Sequence, residues 1–332
     1  MRALWRSAGR GTMRRIHERL FRLLALAFAL TLLAGACSGD DEAAEDGDGR
    51  KSTDGTDTGG DSAFLREQHI LTTGAPYEIQ AINAMRYWQD HGGEGQSACV
   101  AYLNEPYFQV GLDGVEYAAA QMGFEVAEVV VLGQGTQDWA TPIQALQGCD
   151  MVYLASTSVE TRGLLGAAAM AQFAPQWIGQ APTFAGSLVA SPLGGYLQEN
   201  FWLAAEGPAW GDESVEGMAQ VLRHVQRYVP DQQPELLLSL GYARAWAVHQ
   251  VLEKAVEMGD LSRPSIVEAM NSIDTLEFGG LLGDYQYGPP DEREPPRCST
   301  IFQIDPDVPG GLSALSDVNF TSDAAESYRF EQ

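Results

Sequence analysis

Between residues 98 and 209 the apolar positions fall into short unbroken runs and not into the in–out alternation of a half-solvated sheet. Ala98-Cys-Val-Ala-Tyr-Leu103 is one such run. Further strand-like runs cover residues 124–132, 150–155, 182–185 and 201–205. The intervening segments carry helical spacing over 110–122, closed by Gly123, over 139–146, over 158–173 with alanine at most facing positions, and over 194–199. Strands apolar on both faces that alternate with helices predict a parallel sheet covered on each side, a doubly wound α/β lobe spanning 97–209.

Beyond that lobe the pattern changes. Two amphipathic helices are predicted over 212–228 and 236–258, the second followed by Gly259, and a third starts behind Ser262 as N-cap of Arg263-Pro264-Ser265. From Asp274 the chain is rich in Gly and Pro, as expected of an irregular strand-and-loop return. Residues 63–96 and 210–332 flank this lobe with further helices and return segments. Together with 97–209 they make one folded body over 63–332, long enough for one large or two small cores.

The N-terminal region has a different logic. Arg14, Arg15, Arg19 and Arg22 precede an apolar run from Leu23 to Ala36, too short to span a bilayer as a helix and suited to a signal peptide over 1–36. Translation from Met13 would leave a signal of ordinary proportions. Leu32-Leu-Ala-Gly-Ala-Cys37 resembles a bacterial lipobox, which implies that Cys37 becomes an acylated N-terminus at the outer face of the cytoplasmic membrane. The alternative is an ordinary signal peptide with a coincidental cysteine. Residues 37–62 hold almost no apolar side chain and are dense in Asp, Glu, Gly, Ser and Thr, so they are expected to be a disordered acidic tether.

Composition narrows the function. The chain carries a net charge of −25, and removal of the seven Arg and one Glu of residues 1–36 takes it to −31. Such a surface argues against nucleic acid and against adhesion to anionic lipid. Trp139, Trp177, Trp202, Trp210 and Trp246 lack the interleaved basic residues of a base-stacking platform. His17, His69, His91, His224 and His249 do not pair at metal-ligand spacing, and neither metal nor cofactor is predicted. Gly-x-Ser-x-Gly, Ser-x-x-Lys, a phosphate loop and a dinucleotide fingerprint are all missing, so a secreted hydrolase is the least favoured class and no catalytic residue is nominated. Cys99 and Cys149 each open a strand-like run and would lie within disulfide range if those strands were parallel neighbours; otherwise they are two buried thiols. Cys298 is left over.

Taken in order, several segments resemble the extracellular solute-binding proteins of ABC transporters, of the branched-chain amino acid type with the type I periplasmic-binding fold. The resemblance is carried by Ile70-Leu-Thr-Thr73, Gln80 and Tyr87-Trp88; by Val100-Ala-Tyr-Leu-Asn-Glu-Pro-Tyr107 with Gly111 and Gly114; by Gly123-Phe-Glu-Val126; by Tyr242-Ala243 and Leu252-Glu-Lys-Ala255; and by Gly279-Gly-Leu-Leu-Gly-Asp-Tyr-Gln-Tyr-Gly288. It implies a lipid-anchored, extracytoplasmic protein that captures a small polar solute, such as an amino acid or amide, and delivers it to ABC permease subunits. Two features depart from the family. The strand-helix-strand stretch that opens the first lobe is lacking, which implies that residues 63–96 and 210–332 make the rest of a second, incomplete α/β lobe, and Tyr107 is followed by the bulky Phe108 where a glycine is usual. The alternative reading is a receptor-like or partner-binding lipoprotein that keeps the scaffold without transport.

Ligands of open α/β sheets sit beyond the carboxyl ends of the strands. That rule nominates Asn104, Glu105 and Tyr107 after the first strand, Ser156, Thr157, Ser158 and Glu160 after the third, and Gly186 with Ser187 after the fourth. A helix starting near Ser158 would aim free N–H groups at an anion, although Ser156 and Ser158 are equally suited to plain N-capping. The resemblance places Tyr107 and Tyr242 beside the ligand, against a simple packing role for each. Gly186-Ser187 occupies the region where amino-acid binders hold a carboxylate for the ligand ammonium, so a typical α-amino acid is disfavoured.

Overall fold

The computed structural model describes residues 64–93 and 96–330, and the signal, Cys37 and tether assignments lie outside them. The body is built on one seven-stranded sheet in the order β2-β1-β3-β4-β5-β8-β9. Its strands are β1 Ala98–Leu103, β2 Val126–Leu132, β3 Met151–Ala155, β4 Gln176–Gln180, β5 Phe201–Ala205, β8 Thr300–Ile304 and β9 Leu312–Ala314. β1 to β5 pair in parallel, whereas β8 joins β5 and β9 joins β8 in antiparallel register. A short antiparallel pair, β6 Thr275–Leu276 and β7 Tyr285–Gln286, stands apart.

The helices are α1 Tyr77–Trp88, α2 Pro106–Met122, α3 Ala140–Leu146, α4 Ser158–Met170, α5 Gly186–Val189, α6 Gly194–Asn200, α7 Glu216–Tyr228, α8 Leu236–Met258, α9 Arg263–Asn271 and α10 Asp323–Ser327. Every residue of β3 is buried, as are five of the six in β1, because both faces of these strands are covered. β2 is the sheet edge, and its positions are half-buried or exposed as far as the buried Leu132. Cys99 on β1 and Cys149 just before β3 form a disulfide, with Cα atoms 6.0 Å apart, so the bond ties two neighbouring strands near their amino ends. Cys298 is a free, buried thiol.

Several boundaries follow directly from local chemistry. Gly123 ends α2 in the left-handed conformation at φ 77°, and its N–H closes on the Ala119 carbonyl. Ser262 caps α9 by accepting from the Ser265 N–H. α8 runs over the full predicted range, and α7 begins four residues later than its pattern suggested, after Asp212 and Ser214 form a local turn.

Two expectations are corrected. The fourth strand is Gln176–Gln180 and not 182–185; Ala181–Thr183 forms a 3-10 turn whose Thr183 hydroxyl donates to the Gln180 carbonyl, and Pro182 has no N–H for a ladder. The sheet lobe is also larger than 97–209. α1 packs on α2, and β8 and β9 extend the sheet past β5 through Phe302–Leu203 and neighbouring pairs. α7 to α9 with β6 and β7 form the remainder.

The chain passes between these parts more than once. Gly207 N donates to Asn319 Oδ1, Asn319 Nδ2 donates to the Gly280 carbonyl, and Gly217 N donates to the Gly279 carbonyl, so the exit from β5, the segment after β6 and the tail meet at one junction. Arg293, fully buried, clasps the start of the body to the return segment: its guanidinium donates to the Glu67 and Ile70 carbonyls and to Asn271 Oδ1, and lies 4.5 Å above the Tyr287 ring.

Candidate functional site

β1, β3 and β4 are consecutive in the sheet, so the loops that follow them share one edge within about 10 Å. Asn104 is exposed there and Glu105 half-buried. Tyr107 lies in the first turn of α2, half-buried, with its ring 4.2 Å from that of Phe108 at a 37° tilt. The bulk of Phe108 costs nothing in backbone strain: Pro106 starts the helix, Phe108 takes a helical position, and its ring is fully buried.

After β3 the polar residues divide their work. Ser156 is fully buried, with its Oγ toward the Thr157 carbonyl and the Thr161 hydroxyl, so its hydroxyl is committed inside the turn. The N-cap of α4 is Thr157 and neither Ser156 nor Ser158: its Oγ1 accepts from Val159 N at 3.2 Å and donates to the Glu160 carboxylate. Ser158, half-buried, is the first helical residue. Ser187 is exposed at the start of α5. The loops after β1, β3 and β4 therefore carry Tyr107, Thr157, Ser158 and Ser187 at this edge, with Ser156 turned inward.

Tyr242 stands with a different group. Its hydroxyl meets His224 Nδ1 at 2.7 Å, and its ring lies edge-on to Trp246, which places it in the α7–α8 packing. Burial and the positive charges of Arg223 and Arg227 hold His224 below the usual histidine range, so the ring meeting Tyr242 is neutral near pH 7.

Three polar groups at this edge escaped the sequence reading. Glu235, in front of α8, reaches across so that its Oε1 accepts from Gly186 N at 3.4 Å, bringing a carboxylate to a loop that has none of its own. Gln180, at the end of β4, is fully buried; its Oε1 accepts from the Tyr153 hydroxyl at 3.5 Å while its Nε2 has no partner. Glu206 directly follows β5 and is buried at the junction, its Oε1 without a hydrogen bond. Burial pushes its carboxyl up to about 8, opposed by the Ala75 and Gly283 backbone and by the charge of Arg244. The strand-end rule that nominated the other loops would have found Glu206 had it been applied to the fifth strand.

Among the described residues no group of His, Cys, Asp or Glu has the geometry of a metal site, and no helix is long and apolar enough to cross a membrane.

The chain matches the periplasmic binding protein family over residues 54–311. It belongs to that family. Solved periplasmic binding proteins share its fold: a fatty acid ABC transporter substrate-binding protein from Thermomonospora curvata superposes with a TM-score of 0.74 at 23% identity, covering 82% of this chain and 70% of that one. A branched-chain amino acid ABC transporter protein from Thermus thermophilus with bound valine gives 0.64 at 16% identity, over 78% and 69%. The leucine-binding protein LivK of Thermotoga maritima gives 0.64 at 15% identity, over 78% and 71%. The search of curated proteins finds no match. The type I periplasmic-binding fold expected from the sequence is thus present, with its parallel lobe complete from β1 to β5.

Proposed function

We propose that this periplasmic binding protein is an extracytoplasmic, lipid-anchored component that captures a small polar solute for an ABC transporter, held at the membrane through Cys37 and the acidic tether. The reading rests on the strand order, which puts the loops carrying Tyr107, Thr157, Ser158 and Ser187 after three neighbouring strands, at the carboxyl edge where ligands of open α/β sheets sit. The names of the solved relatives support a transporter partner, one naming fatty acid, one branched-chain amino acid with bound valine and one leucine. Glu235 beside Gly186 supports a solute that carries an N–H donor or ammonium group.

A thermal-shift screen with amino acids, amides, short-chain acids and urea tests this, because a ligand at one hundred times its Kd stabilises the native state by about 2.7 kcal/mol. Stabilisation by one member, lost in Tyr107→Ala, is expected. No shift from any of them at millimolar concentration contradicts the proposal. The relatives are matched over only about 70% of their own length, which favours as second reading a partner-binding lipoprotein that keeps the scaffold. Capture of permease subunits from solubilised membranes supports the first reading, and capture of envelope or sensor proteins in their place supports the second.

A further inference from the structure

Away from the strand-end site, a groove of about 760 Å³ runs between α3 and α4, walled by Trp139, Ile143, Ala167 and Met170. It exists because α4 places Gly163 and Gly166 toward α3, and the Trp139 ring lies so close over Gly163 that a Cβ there would collide with it. The apolar wall is left open: Met170 is 83% exposed. A contiguous apolar groove of this size is suited to an occupant.

The charges at the rim decide what kind. Asp138 keeps its negative charge but faces the start of α3, accepting from Ala140 N at 3.0 Å and from the Thr141 hydroxyl at 2.8 Å, bonds that hold its carboxyl below the usual range. Gln137, Gln144 and Gln147 are neutral. Arg162, the other charged side chain of the groove, has no hydrogen bond or ion pair among the described residues. From Arg162 to Ala171 α4 advances about 13 Å, enough to lie alongside an extended chain of roughly ten carbons. Apolar walls with an unpaired cation on the face away from Asp138's hydrogen bonds complement a linear molecule with a single anionic end.

We propose that the α3–α4 groove binds a medium-chain carboxylate, its head on Arg162 and its tail along Trp139, Ala167 and Met170. This site is separate from the strand-end site and stands or falls independently of it.

Equilibrium dialysis of the full chain against decanoate, decan-1-ol and decyltrimethylammonium tests the proposal, with Arg162→Gln and Gly166→Leu as variants. A Cβ at Gly166 meets nothing within 4 Å, and leucine is the better helix former, so Gly166→Leu fills the groove without loss of stability. Saturable binding of decanoate, weakened about tenfold or more in Arg162→Gln and abolished in Gly166→Leu while the melting temperature holds or rises, is the expected result. Four outcomes overturn it: no saturable binding at 1 mM, unchanged binding in Gly166→Leu, equal affinity for the decyl cation, or Arg162-dependent sedimentation with phosphatidylglycerol vesicles in place of decanoate binding. No shift from any solute in the thermal screen, with decanoate binding intact, would count against the strand-end reading alone.

Discussion

The centre of the sheet and the junction beyond β5 bury their residues to a similar degree by opposite means. In β1 and β3 the buried side chains are apolar apart from the Tyr153 hydroxyl, which donates to Gln180 Oε1, and the one covalent tie, Cys99–Cys149, is itself apolar. At the junction the chain buries the Glu206 carboxyl against Gly74 and Ala75, close to the Cys298 thiol, whose own ionisation burial and Glu206 push further up. The first arrangement is stable whatever the pH. The second is stable only while the carboxyl keeps its proton, so the two regions should respond differently to the same perturbations.

The largest expected effect lies on the carbon side. Phe302→Ala opens a cavity where β8 packs against β5 and should cost about 3–5 kcal/mol, uniformly across pH, in chemical denaturation. A cost below about 1 kcal/mol would remove β8 from the sheet core. Next comes the covalent tie: replacing both Cys99 and Cys149 by alanine, which opens a loop with a sequence separation of 50, should cost about 2–4 kcal/mol. Reducing agent should then have no further effect on the melting temperature.

The junction supplies the pH-dependent contrast. The Glu206 carboxyl stands at about 8 when folded against a reference of 4.5, so its contribution is complete below pH 4.5 and is lost as pH rises through 8. Stability should therefore fall by up to about 1.4 kcal/mol per pH unit inside that window. Glu206→Gln, an isosteric neutral amide, should flatten this slope while Phe302→Ala leaves it intact; an unchanged slope in Glu206→Gln contradicts the assignment. The smallest effect is the cap of α4, where Thr157→Ala should cost about 1 kcal/mol through the lost bond to Val159 N. A larger loss of solute affinity than of stability in that variant would mark Thr157 as part of the binding edge as well.

The same contrast explains what could be read in the sequence. Runs of carbon declare themselves, and so β1, β3, β5 and the whole of α8 were legible, as was the Ser262 cap. β4 was displaced because Gln176 and Gln180 bracket a run of only three residues, while Thr183 and Phe184, buried in the following turn, imitate strand positions. β8 and β9 were hidden in the Gly- and Pro-rich tail, since antiparallel addition to a distant strand leaves no local signature. At the candidate site the strand-end rule nominated Tyr107, Thr157, Ser158 and Ser187 from local position alone. It could not show that Ser156 turns inward or that Glu235 arrives from another element, because both depend on tertiary contacts.

Solute binding at the carboxyl edge is the claim on which the functional account turns, and isothermal titration of the wild-type chain and Tyr107→Ala with the best solute from the screen measures it most directly. One saturable site in the wild type, weakened at least about tenfold by Tyr107→Ala with the melting temperature of the free protein unchanged, is predicted. Equal affinity in both proteins would place the solute elsewhere and contradict the account.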